Sequence, residues 1–193
     1  MKEFTQKAVN KAQEGLDAAT SFLSDLPVIG DYQDKERRRE ADRRLRESIA
    51  RALEASRKRI IEIERLLLNK GKLTDLPYVD VAANRLQTLI DRIRTAPSGY
   101  AGFFDMETIR EPELENLYRF DQGVAATVPD IDARIDAMQQ AIQAGEDYSE
   151  TLVALIREID DLGERLDHRK EVIRAISEDV ASLSEQSSLE STD

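Results

Sequence analysis

The chain has no cysteine, no tryptophan and a single histidine, His168, in 193 residues. Disulfides and thiolate metal sites are therefore impossible. A His-based zinc site, a Ser-His-Asp triad and a di-iron bundle carrying two Glu-x-x-His pairs each need more histidine or other ligands than the sequence holds. Aromatic residues make up only 5%, with five Pro and eight Gly, so bulky core residues and chain breaks are both scarce. No apolar run approaches the ~18 residues of a membrane span. The opening Met1-Lys2-Glu3-Phe4-Thr5 lacks the apolar stretch of a secretory signal. These absences predict a cytoplasmic protein, and leave open peripheral attachment at the inner face of the membrane, because an amphipathic helix needs no such run. No segment alternates with period two, no solenoid repeat occurs, and no Walker-type or dinucleotide motif is present.

What is present is charge and helical periodicity. Charged residues are 35% and hydrophobic ones 40%, with 28 basic against 39 acidic side chains and a net charge of −11. That mixture suits a long narrow core better than a thick globular one. Period and punctuation predict five helical segments. An amphipathic N-terminal helix occupies 1–24, with Phe4, Ala8, Val9, Ala12, Leu16, Ala19, Phe22 and Leu23 on one face, and 25–33 is a linker. The second segment starts at Asp34, a candidate N-cap, and stops at Gly71 after about 55 Å. The third runs from Pro77 to Thr95 and the fourth from Pro112 to Ala144 before Gly145. The fifth runs from Asp147 to Gln186, followed by a disordered tail, 187–193. The predicted fold is all-α: an elongated antiparallel bundle over 34–186, made of coiled-coil-like hairpins at 34–96 and 112–186.

The apolar positions fix a register. Around Gly145, the fourth and fifth segments match Ile142 with Tyr148, Met138 with Leu152, Ile135 with Leu155 and Ile131 with Ile159. Val128 with Leu162, Val124 with Leu166, Asp121 with Arg169, Leu117 with Ile173 and Leu114 with Ile176 follow. In every pair the residue numbers add to the same total, so one alignment matches all apolar layers and sets the seam's only acid, Asp121, opposite its only base, Arg169. A slip would leave each charge facing a hydrophobe. Around Gly71 the same logic pairs Leu67 with Val79, Ile60 with Leu86, Ser56 with Ile90 and Leu53 with Ile93, leaving 35–46 projecting past the shorter third helix. Pro129, inside the fourth segment, predicts a kink. The alternative is a helix restarted by Thr127 and Asp130.

Charge is segregated. Residues 34–70 carry 13 basic and 8 acidic side chains, net +5; 112–146 carry 2 and 7, net −5; 147–193 carry 5 and 13, net −8. The basic stretch includes Arg37, Arg38, Arg43 and Arg44, which could meet phosphate on nucleic acid or anionic lipid. Interleaved acids at i,i+4, Asp42 with Arg46 among them, favour a solvated helix whose excess charge meets the acidic fifth segment or another copy, and make nucleic acid an unfavoured partner. The Gly99–Asp105 connection concentrates Tyr100, Phe103 and Phe104, either a partner- or membrane-facing loop or rings closing the bundle end over Leu117, Tyr118 and Phe120. Asp130, Asp132 and Asp136 read as a solvated face rather than a metal site, and His168 as a flanking surface residue. No carboxylate stands ready for acid-base work, so no catalytic residue, cofactor or metal is expected.

The order of a short amphipathic leading helix, a long basic helix and long acidic coiled-coil helices resembles the phage-shock-protein A and ESCRT-III-like membrane-remodelling proteins. The resemblance implies an all-helical, self-assembling protein at a membrane surface. The resulting expectation is a non-catalytic scaffold that self-associates and attaches peripherally through Phe4, Val9, Leu16, Phe22 and Leu23. The alternative is a soluble adaptor whose basic helix end or aromatic loop binds another helical protein.

Overall fold

In a computed structural model, Val28 and residues 35–95 and 111–190 are described. Among these residues four α-helices follow in order: α1 (Lys35–Asn69), α2 (Leu76–Thr95), α3 (Glu111–Ala144) and α4 (Ser149–Glu190), with a 3-10 turn at Leu73–Asp75. They correspond to the second to fifth segments read from sequence, and the described residues contain no strand. The leading helix, the linker apart from Val28, and the 96–110 connection lie outside the described residues.

Both turns are set by glycine. Gly71 has φ +70° and Gly145 φ +78°, the left-handed conformation that lets a helix end without a Cβ clash. Lys72 N–H returns to the Leu67 carbonyl at 3.0 Å and Glu146 N–H to that of Ala141 at 2.9 Å, which satisfies carbonyls otherwise left bare at a helix end. At the start of α4, Asp147 accepts from the backbone N–H and the hydroxyl of Ser149. Gly123, by contrast, sits inside α3 with open space where a Cβ would go. Gly123→Ala is expected to stabilise by about 1 kcal/mol through helix propensity, and Gly145→Ala to destabilise by a similar amount. Urea melts of the two variants check the opposite signs.

The apolar residues of both seams are buried, and the Arg169–Asp121 contact joins α4 to α3 at the predicted level. Ile60, Leu67, Val79, Leu86 and Ile90 are buried between α1 and α2; Leu117, Val124, Ile131, Ile135, Met138 and Ile142 are buried against Tyr148, Leu155, Ile159, Leu162 and Ile173. The Leu114–Ile176 pair falls on side chains outside those described. α3 runs unbroken through Pro129. The seam residues Val128 and Ile131 on either side of it are buried, and this packing offsets the backbone hydrogen bond that proline cannot donate. α4 continues to Glu190, four residues beyond the expected stop at Gln186. Ser187, Ser188, Leu189 and Glu190 include neither Gly nor Pro, so nothing in the sequence ends the helix there.

The two hairpins lie side by side with the same polarity. Arg59 reaches from α1 to Asp132 and Asp136 on α3, and Arg92 from α2 to Asp167 on α4. α1 thus neighbours α2 and α3, and α4 neighbours α2 and α3, while α2 and α3 occupy diagonal corners. At the turn end, the Tyr148 hydroxyl donates to the Asp75 carboxylate, and Lys72 Nζ lies 5.1 Å from the Tyr148 ring centre, so the second turn is clasped to the first. That hydrogen bond, with a second from Thr74, holds the Asp75 carboxyl below its ordinary range.

Candidate functional site

α2 stops at Thr95, opposite the middle of α1, and the first part of α1 extends past it. Ala41, Asp42, Leu45 and Ile49 are nevertheless buried there. The described feature with the most chemistry sits at this level. Arg169, on α4, donates from Nε to Asp121 Oδ1 at 2.6 Å and from Nη2 to Asp121 Oδ2 at 3.0 Å, a two-point fork onto one carboxylate. Its Nη1 reaches diagonally to Asp42 Oδ1 on α1 at 2.7 Å. Arg46 in turn donates to Asp42 Oδ2 through Nε at 2.9 Å and Nη2 at 2.7 Å. Asp42, Arg46, Asp121 and Arg169 thus share one ion cluster, in which the side chains of Asp42, Asp121 and Arg169 are at most 5% exposed.

The sequence pairs Asp121 with Arg169, and the structure brings them together. Asp42 was expected to support a solvated helix with Arg46. It does pair with Arg46, but inside the core, as the third member of the cluster. The signal available was that Asp42 falls three residues before Leu45 and seven before Ile49, on the apolar face. Charge segregation also acts in reverse here: the basic helix contributes an acid and the acidic helix a base.

The other expected residues are dispersed. Arg37, Arg43 and Arg44 are exposed on α1, and Arg43 is held by Glu40 of its own helix at 2.8 Å. The side chain of Arg38, and Phe4, Val9, Leu16, Phe22, Leu23, Tyr100, Phe103 and Phe104, lie outside the described residues. His168 is exposed, against Glu171 at 3.2 Å and tilted on Phe120 at 5.7 Å. Asp130 is exposed, and Asp132 and Asp136 keep part of their side chains in solvent while turning toward α1, where Arg59 meets both and Ser56 donates to Asp132 at 2.8 Å. Burial raises the Asp132 carboxyl despite these donors. No group of His, Cys, Asp and Glu among the described residues is arranged to hold a metal ion.

Among the described residues, one buried carboxylate oxygen is left without a hydrogen bond. Glu64 Oε1 has no hydrogen-bond partner, and burial raises the Glu64 carboxyl, with Asp80 adding to the shift and Arg57 only partly offsetting it. A group whose folded pKa is raised favours folding at low pH, and that contribution is lost as pH rises through the folded pKa. Glu64→Gln should therefore raise the thermal midpoint at pH 7, and the gain should shrink as pH falls into the range where Glu64 protonates. A gain that grows on acidification would contradict the burial argument.

No protein-family model, no curated protein and no solved structure matches this chain.

Proposed function

We propose that the chain is a non-catalytic helical scaffold that self-associates and attaches peripherally to a membrane through residues 1–24. The observation that carries the reading is the commitment of the buried groups Asp42, Asp121 and Arg169 to one interhelical ion cluster, which spends their chemistry on holding helices together. Support for attachment comes from the amphipathic pattern of 1–24 and from the net positive charge of 34–70, which suits an anionic headgroup layer. No described helix is long and apolar enough to cross a membrane. The exposure of Arg37, Arg43 and Arg44 favours a second reading, a soluble adaptor for an acidic protein surface.

Co-sedimentation with vesicles containing anionic lipid, run beside light scattering of the free protein, tests the first reading. Binding is expected for the full chain and is lost on deleting 1–24. Vesicle binding that survives the deletion, or no binding at all, overturns attachment through that segment. A monomer in light scattering overturns self-association.

A further inference from the structure

The outer face shared by α2 and α4 carries a repeat at heptad spacing. Arg85 pairs with Asp160, and Arg92 with Asp167 at 2.6 Å, each partner standing 75 residues further along the chain. One heptad earlier, at the same offset, stand Tyr78 and Val153, which are 66% and 58% exposed. A single face thus presents an apolar pair and then two ion pairs, each level with its counterpart on the parallel neighbour. Beside them Val81 is 41% exposed. Further along, the groove between the helices is floored by Gly163, where a Cβ would lie 3.7 Å from Leu89 and 3.5 Å from the Arg92 guanidinium. Scattered exposed hydrophobics need no explanation, but apolar side chains aligned with a charge ladder do.

We propose that this face is the contact between two copies of the chain, set side by side with their helices running the same way about a two-fold axis parallel to the bundle. The proposal rests on the self-association in the reading above and supplies its surface. Such an axis places α2 of one copy opposite α4 of the other at equal height. Tyr78 then meets Val153 of the partner copy, and Arg85 and Arg92 meet the partner copy's Asp160 and Asp167. Each carboxylate is shared between two guanidinium groups, and the same patch serves both subunits, as an isologous contact requires. Turning one copy end over end would instead lay α2 on α2, arginine against arginine, at a cost in like-charge repulsion.

Sedimentation equilibrium of the full chain at tens of micromolar is expected to give twice the 21.9 kDa chain mass. Tyr78→Asp with Val153→Asp should weaken dimerisation at least tenfold while leaving the helical content at low temperature in place, because both side chains are exposed. Arg85→Glu should also weaken the dimer, and adding Asp160→Arg should restore it, since the exchange rebuilds every pair within and between copies. An oligomer indifferent to the Tyr78 and Val153 changes overturns this surface and leaves self-association standing. A monomeric wild type removes both.

Discussion

Arg169→Ala is expected to destabilise the bundle by about 3–5 kcal/mol, the range for removing one partner of a buried ion pair. The truncation takes both guanidinium hydrogen bonds from Asp121 and one from Asp42, leaving two carboxylates in a core that is at most 5% exposed. Urea denaturation measures the loss. If only the Asp121–Arg169 pair were present, exchanging the two residues would recover most of it. Asp42 changes that outcome, because a carboxylate placed at position 169 would face the carboxylate of Asp42. The exchange is therefore expected to remain several kcal/mol below wild type. For the same reason, replacing Asp121 and Arg169 together by Leu should not be neutral, since it removes Arg169 from Asp42. Full recovery in the exchanged protein would show that Asp42 is not a working member of the cluster.

The next largest effect is expected in the α1–α2 seam. Leu86 is fully buried, opposite the equally buried Ile60. Leu86→Ala removes apolar contact and leaves a cavity that the flanking helices can close only in part, for a cost of about 2–5 kcal/mol. Leu68→Ala, at an exposed position of α1, is the control and should stay within about 0.5 kcal/mol. A denaturation midpoint that falls for Leu86→Ala with an unchanged slope against denaturant identifies lost stability rather than altered compactness. Equal midpoints for the two variants would show that the seam is not packed at Leu86.

The two hairpins were legible in the sequence because each is short-range. Gly71 and Gly145 mark the turns, and a turn a few residues long leaves one way to align Ile60 with Leu86 or Ile135 with Leu155. Asp121 and Arg169 were legible for the same reason. How the hairpins dock was not, because α1 with α3 and α2 with α4 are parallel neighbours with no tight turn to set their offset. The contacts between them are long Arg side chains reaching acids 73 to 77 residues away, a separation that no periodicity announces. Asp42 was misplaced for a related reason: its i,i+4 relation to Arg46 explained it locally, and its third contact comes from a helix 127 residues downstream. The Arg59 that faces the half-exposed Asp132 and Asp136 leaves no sign in the pattern of α3 alone.

That separation has a kinetic consequence. The seams within each hairpin join residues close in sequence, so they can form early, whereas the Asp42–Arg169 contact spans 127 residues and requires both hairpins to be in place. Closing so long a stretch of chain before its contacts exist is entropically unfavourable. Loss of this contact should therefore leave the refolding rate nearly unchanged and appear as faster unfolding. In stopped-flow measurements Asp42→Asn would steepen neither arm of the chevron but would raise the unfolding arm, making the cluster a late-closing latch on the lifetime of the folded chain.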